Sequence, residues 1–197
     1  MQHEISSREG ARPPRDTKAE IHRAALELFS SRGYEKTSLR EIAEQVGITK
    51  ASLYYHYSSK QELLQAIVGT FFDDIKTVFA QMDGLVWSPE REHEVLTAYL
   101  DVVIKHRTTG PTVLRDITAV LAAFDDQLDD LIEQSRAFQL WLAGPNPSAA
   151  DRILAAAAVE VIGAVLSAGL DQAAVSDEEI RTVLLDAAGA VLARKTN

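Results

Sequence analysis

The sequence contains no cysteine among its 197 residues. This absence excludes a disulfide-stabilised scaffold, a thiolate metal site and a cysteine nucleophile. The N-terminal stretch before Thr17 holds no apolar segment of the kind that marks a secretory signal. One apolar stretch, Ile153 to Leu170, contains Glu160 and consists mostly of small residues, so a buried helix explains it better than a membrane span. We therefore expect a cytoplasmic protein without a membrane partner.

Strand-like alternation of apolar and polar residues persists nowhere in the chain, whereas apolar residues recur at helical spacing throughout. We predict an all-α fold of about nine helices. Several predicted helices open with a capping box, a hydroxyl residue followed three positions later by glutamate: Thr17 and Glu20, Ser38 and Glu41, Ser59 and Glu62, and Ser176 and Glu179. In the second half, helices are predicted near 89–107, 111–122, 124–143, 148–170 and 177–195.

Positive charge is scarce overall, and the formal net charge is −9. The two parts of the chain differ, however. Residues 1–60 carry ten Lys and Arg against eight Asp and Glu, whereas residues 61–197 carry ten against 21. A mildly basic front and a strongly acidic back indicate two parts with different partners.

The front part contains two short predicted helices joined by a glycine turn, in the text SLREIAEQVGITKASLYYHY. Ile42 and Val46 supply the apolar side chains with which the first helix docks on the second, and Gly47 tolerates the positive φ that the turn requires. This is the form of a helix-turn-helix, whose second helix fits the major groove of B-DNA. Exposed hydroxyl and amino groups on that helix can donate hydrogen bonds to base edges and phosphates.

These residues resemble the TetR family of bacterial transcriptional regulators. The resemblance is carried by TSLREIAEQVGITKASLYYHYSSKQELL, Thr37 to Leu64, and by AALELFSSRGYEKTS upstream, so that it covers about residues 17–65. It implies an N-terminal three-helix DNA-binding domain with the helix-turn-helix, followed by a C-terminal helical domain for ligand binding and dimerisation. The implied boundaries are a flexible arm over 1–15, a DNA-binding domain over 16–62 and a ligand-binding and dimerisation domain over 63–197.

The resemblance also implies roles for single residues. Lys50, Ala51 and Ser52 would face bases, and Tyr54 and His56 would contact phosphates. The implied DNA-binding residues are Thr37, Thr49, Lys50, Ala51, Ser52, Tyr54, Tyr55, His56 and Lys60. Tyr57 departs from the phenylalanine that is more usual in the family. Its ring is predicted to pack inward, and its hydroxyl then needs a partner. The basic arm, with Arg8, Arg12, Arg15 and Lys18, either reaches into a minor groove or is simply disordered.

The last two predicted helices combine small and apolar residues, which favours a four-helix interface between two subunits. The expected dimer residues are Val159, Ile162, Val165, Leu166, Val183, Leu184, Ala187 and Val191. The alternative is that both helices are only core of the monomer. Glu160 within this segment faces a pocket, pairs across the dimer or sits at a rim.

An effector pocket is expected from the resemblance, and aromatic side chains are the candidates to line it: Phe71, Phe72, Phe79, Trp87, Tyr99, Phe124, Phe138 and Trp141. Each of them alone is better explained as core packing. We predict no metal site, because His93 and His106 lie thirteen positions apart without ligand-type spacing around them. No cofactor is indicated.

These observations predict a homodimeric, ligand-responsive transcriptional regulator and repressor that binds a palindromic operator in duplex DNA and is released by an unidentified small-molecule effector. The alternative is a constitutive DNA-binding protein without an effector. An all-α enzyme is disfavoured, since no acid/base pair or nucleophile with its base stands out in the sequence.

Overall fold

The computed structural model of the chain describes residues 16–167 and 175–196, so the predicted arm over 1–15 lies outside the described residues. Those two ranges contain only helices and connecting turns, which confirms the all-α prediction. The helices are α1 (Thr17–Arg32), α2 (Leu39–Val46), α3 (Lys50–His56), α4 (Lys60–Ala80), α5 (Pro89–Lys105), α6 (Gly110–Arg115), α7 (Ile117–Ala123), α8 (Asp125–Leu142), α9 (Ala149–Ser167) and α10 (Asp177–Leu192). In the described parts of the chain, no helix is both long and apolar enough to span a bilayer.

Most of the predicted helix starts are confirmed by side-chain caps. Ser38 accepts the N–H of Glu41, and the Glu41 carboxylate accepts the N–H of Ser38, which completes a capping box. Thr49, Ser59 and Ser176 each cap the helix that follows them. The predicted cap at Thr17 is wrong, because Asp16 accepts the N–H of Ala19 and Thr17 is the first helical residue.

One predicted helix, near 111–122, is two short helices in the structure. The break is at Asp116, which leaves helical geometry at φ −113° and ψ 37°. Its carboxylate accepts the backbone N–H of Tyr34 at 2.9 Å, a contact with a residue far away in sequence. This break raises the number of helices in the described residues above the predicted nine.

The first of two hydrophobic cores joins α1, α2 and α3 to the first half of α4 and to α7. Its fully enclosed side chains include Ile21, Phe29, Ile42, Leu53, Leu63 and Leu64. Val120, Ala123 and Phe124 complete this core from the second half of the sequence. The helix-turn-helix therefore folds against residues well beyond position 62, where the predicted DNA-binding domain ends.

The second core is formed by the second half of α4 with α5, α8, α9 and α10. Leu100, Val103, Phe138, Leu142 and Ile162 are fully buried in it. Because α4 has 21 residues, it is about 30 Å long and contributes to both cores. The helix α4 therefore connects the two cores.

Candidate nucleic-acid interface

The turn of the helix-turn-helix is built by Gly47, which adopts φ 77° and ψ 32°. This left-handed conformation is accessible to glycine without strain. The N–H of Gly47 donates to the carbonyl of Ala43 at 3.0 Å, which ends α2. The N–H of Ser52 donates to Oγ1 of Thr49 at 3.1 Å, and this cap starts α3. The turn and the cap together fix the angle at which α3 leaves α2.

Only one side chain of the seven-residue helix α3 is buried, namely Leu53, which is 0% exposed. Lys50, Ala51, Tyr54 and Tyr55 are exposed, and Tyr55 reaches 87%. Ser52 and His56 are half-buried. The Lys50 ammonium lies 5.3 Å from the centroid of the Tyr54 ring, a cation–π contact on the outer face of the helix. The helix therefore presents most of its surface, with hydrogen-bonding groups, to the outside.

Tyr57, the residue after α3, packs its ring inward as predicted, and its hydroxyl finds a partner in His22 of α1. The Tyr57 Oη atom and the His22 Nε2 atom are 2.6 Å apart. Burial lowers the pKa of His22, and nearby Lys18 lowers it further. Burial likewise raises the pKa of Tyr57. The pair ties the end of the recognition helix to α1.

Two expected phosphate contacts have their polar groups committed elsewhere. Thr37 is 3% exposed, and its Oγ1 donates to the carbonyl of Gly33 at 2.9 Å, so its hydroxyl is not available to DNA. The Lys60 ammonium donates to the carbonyls of Tyr34 and Thr37. The expectations for these two side chains are corrected, since tertiary contacts within the domain use the groups that a phosphate would need.

This arrangement matches a known family. Residues 21–67, which contain most of α1, all of α2 and α3, and the start of α4, match the model of bacterial regulatory proteins of the tetR family. A TetR-like transcriptional regulator from Rhodococcus sp. RHA1 is 26% identical, with a TM-score of 0.61 over 93% of this chain and 100% of that one. The helix-turn-helix domain of this chain is a TetR-family domain. That family consists of transcriptional regulators rather than enzymes.

Two relatives illustrate the range within the family. The transcriptional activator FasR of Mycolicibacterium smegmatis is 30% identical over 142 residues, 65% of this chain and 64% of FasR. The negative transcriptional regulator IcaR of the biofilm operon icaADBC in Staphylococcus aureus is 44% identical over 54 residues, 27% of this chain and 29% of IcaR. The aligned part thus spans less than two thirds of either relative.

The similarity in fold extends beyond the helix-turn-helix. The ketosteroid transcriptional regulator KstR2 of Mycobacterium tuberculosis superposes with a TM-score of 0.73 over 98% of this chain and 97% of KstR2. At 18% identity this similarity concerns the fold alone.

The residues predicted at the dimer interface lie partly in the interior of the chain and partly on its surface. Val159, Ile162 and Val165 are buried within one chain, with Ile162 at 0% exposure, so their assignment to an interface is wrong. They point into the second core because α9 packs against α5, α6, α8 and α10. Leu166, Leu184 and Val191 are half-buried, whereas Val183 is 59% exposed and Ala187 is exposed as well.

The last two helices each expose one face. On α9 the exposed residues differ from those predicted at the dimer interface. On α9 these are Ile153, Glu160 and Ala164, at helical spacing. On α10 they are Val183, Ala187 and Ala190. Glu160 is therefore exposed on the outward face of α9.

The predicted pocket aromatics do not line one pocket. Phe72 and Phe124 meet at 4.8 Å between ring centroids in the first core, next to the DNA-binding helices. Phe71 lies against His106, and the Trp87 Nε1 atom donates to Glu92. Phe138 stacks between Phe79 and Tyr99, with centroid distances of 5.1 and 4.9 Å. Burial raises the pKa of Tyr99 to about 12, and the charge of Glu160 adds to the effect.

A groove of about 500 Å³ lies between the end of α4 and α8. Phe79 and Trp141 contribute its aromatic walls, and they are the two predicted pocket residues that share it. Sequence reasoning missed its other lining residues, which are Lys76, Ala80, Met82, Asp83, Gln134 and Ala137. Lys76, Phe79 and Ala80 lie at helical spacing on α4, and this spacing is the signal that places them on one face.

Ionisable groups between α4 and the end of α5 form an ion pair rather than a metal site. Asp74 accepts from Lys105 at 2.7 Å and from His106 at 2.6 Å. These hydrogen bonds, chiefly that of His106, lower the pKa of Asp74. Over 16–167 and 175–196, no group of three His, Cys, Asp or Glu side chains is placed to hold a metal ion.

Proposed function

We propose that this protein binds duplex DNA through α3, acts as a homodimer, and regulates transcription in response to a small molecule. One observation carries the proposal, namely that α3 is anchored by Leu53 alone while Lys50, Ala51, Tyr54 and Tyr55 are exposed. Exposure of aromatic rings to water does not stabilise a folded protein. Two exposed tyrosines next to an exposed lysine therefore indicate a surface that binds a partner. A helix of this size fits the major groove.

In this proposal Lys50, Ala51 and Ser52 face base edges near the start of α3. Thr49 and the start of the helix lie at its entry to the groove, and Tyr54, Tyr55 and His56 contact the sugar-phosphate backbone. The contact between Lys50 and Tyr54 keeps the ammonium on the outer face before DNA arrives. Binding then exchanges this cation–π contact for a hydrogen bond to an acceptor such as guanine O6 or N7.

Dimerisation supplies the specificity that one seven-residue helix lacks. Two copies of α3 related by a two-fold axis would read half-sites about 34 Å apart or a multiple of that distance. The outward faces of α9 and α10 support this interface, because Ile153 and Val183 are exposed apolar residues flanked by alanines.

We propose repression as the effect on transcription, since a dimer seated on an operator obstructs RNA polymerase without any further contact. The relative IcaR is named a negative regulator, whereas FasR is named an activator. A promoter fusion in cells with and without the protein distinguishes the two signs. Repression predicts higher reporter activity when the protein is absent.

The groove between α4 and α8 is the proposed effector site. The second half of α4 borders this groove. The same helix begins at Lys60, close to the end of the recognition helix α3. An effector that binds one tilt of α4 better than another would change the spacing of the two recognition helices, and its differential affinity would set the size of the change. Thermal stabilisation across a metabolite library tests this point. A complete absence of stabilising compounds would favour the constitutive alternative, which the aromatic stack around Phe138 also fits.

The central experiment is selection of bound fragments from genomic DNA with the full chain, followed by affinity measurements on the selected site. Lys50→Ala should change the sequence preference, because Lys50 is assigned to a base edge. Arg136→Ala removes an exposed positive charge from α8 and serves as the matched control. The assignment of α3 fails if the protein prefers no duplex over random competitor at low salt. It fails for Lys50 if affinity and preference are both unchanged in Lys50→Ala.

A further inference from the structure

Lys60, the first residue of α4, holds its ammonium group inside the loop that joins α1 to α2. The Nζ atom donates to the carbonyls of Tyr34 at 2.7 Å and Thr37 at 3.0 Å, with that of Glu35 at 3.4 Å. It also lies 4.2 Å from the centroid of the Tyr34 ring. All these partners belong to one short segment, residues 34–37, which we call the α1–α2 loop.

The donors of Lys60 are used up by this arrangement. An ammonium group has three N–H donors and no acceptor. Three carbonyl oxygens of the α1–α2 loop surround it, so a hydrogen bond to a DNA phosphate would require at least one of them to be abandoned. Those carbonyls are then left without their cationic donor, which costs free energy where the loop is buried.

The α1–α2 loop determines where α2 begins. Its last residue, Thr37, precedes the helix cap Ser38, and Thr37 is itself buried. The Tyr34 ring is buried against Phe29 at 5.2 Å between centroids. The carbonyls of Tyr34 and Thr37 converge on Lys60 from both ends of the loop. One cation therefore sets the loop and, through it, the position of the α2 N-terminus.

The α1–α2 loop also carries a lysine of its own, whose side chain is exposed. Lys36 is exposed, and it lies between the residues whose carbonyls face Lys60. Its side chain precedes the α2 N-terminus by three positions. Backbone N–H groups at that end of a helix favour an anion. Lys36 thus places a positive charge on the outside of the loop, next to the α2 N-terminus that Ser38 and Glu41 cap.

We propose that Lys60 is a positioning residue that organises the α1–α2 loop, and that Lys36 makes the phosphate contact at this corner of the domain. The inference rests on the proposed DNA-binding function. It assigns two lysines of similar charge and nearby location to different tasks, so the two are separable by experiment.

The salt dependence of DNA affinity separates the two roles. Each phosphate contact contributes about 0.9 to the slope of log affinity against log salt concentration. Lys36→Ala should therefore reduce the slope by about 1.8 for the two copies in a dimer. Lys60→Met should weaken binding several-fold at every salt concentration and leave the slope unchanged.

A readout without DNA tests the positioning role by itself. Hydrogen exchange of the peptide covering residues 33–38 should accelerate in Lys60→Met and remain at the wild-type rate in Lys36→Ala. Lys60→Arg provides a second variant in case Lys60→Met does not fold. Arginine retains a phosphate contact, but its planar fork does not match three carbonyls that converge on one point. Lys60→Arg should therefore also accelerate exchange.

The proposal is overturned for Lys60 if Lys60→Met lowers the salt slope by about the amount of a phosphate contact while exchange stays unchanged. It is overturned for Lys36 if Lys36→Ala leaves the slope unchanged. Failure of the DNA-binding function is a different outcome, because the wild-type protein would then bind no duplex while Lys60→Met still accelerated exchange in the α1–α2 loop.

Discussion

At the scale of single residues, the hydrogen bond between His22 and Tyr57 makes the DNA-binding domain sensitive to pH. Because burial lowers the pKa of His22 below 6.5, the unfolded chain takes up a proton at a higher pH than the folded one. The contribution of His22 to the free energy of unfolding is therefore fully present above pH 6.5, and it is lost as the pH falls from there toward the pKa of His22 in the folded protein.

We expect the melting temperature of the wild type to fall more than that of His22→Gln when the pH is lowered from about 7.5 to about 5.5. Thermal unfolding at several pH values measures the difference. The other histidines titrate in both proteins and cancel in the comparison. Parallel curves for the two proteins would contradict a buried, neutral His22.

At the scale of secondary-structure elements, the junction between α6 and α7 holds the end of α1. The Arg115 guanidinium donates to the carbonyls of Ser30 at 2.6 Å and Ser31 at 3.2 Å. A cation at a helix C-terminus also interacts favourably with the helix dipole. The adjacent Asp116 accepts the N–H of Tyr34. Two residues from the second half of the chain thus hold the end of α1 and the loop that leads into the helix-turn-helix.

Asp116→Ala should therefore accelerate hydrogen exchange at the Tyr34 amide, because that N–H loses its acceptor. Asp125→Ala, an exposed residue at the start of α8, is the control for loss of an aspartate. Exchange at Tyr34 that is equally slow in both variants would mean that the contact with Asp116 does not protect this amide.

Sequence reasoning was most accurate where structure is determined locally. The caps at Ser38 and Thr49 and the turn at Gly47 depend on neighbours a few positions away. The roles of Lys60 and Asp116 depend on loops that meet only after the helices pack, so no spacing indicated them. Helix α9 was misjudged for a different reason. It is apolar on nearly every side, and the face that Ile162 occupies cannot be read from periodicity.

At the scale of the whole molecule, the outward faces of α9 and α10 predict how the protein associates. Val183→Asp should convert a dimer into a monomer of 21.6 kDa, because a carboxylate at a desolvated interface is costly. Light scattering after gel filtration measures the mass, and affinity for the full operator should fall with it. Ile132→Asp places the same charge at an exposed apolar position on α8 and is the control. A dimeric Val183→Asp would move the interface elsewhere.

The length of α4 has a consequence for how this molecule unfolds. A single helix supplies side chains to both hydrophobic cores, and Phe124 joins the first core from far along the sequence. Neither half can melt while the other stays intact, so heating should give one cooperative calorimetric transition. Truncation after position 62 would leave an N-terminal fragment without seven of the 19 buried residues of its core, and its failure to fold would say nothing about its affinity for an operator.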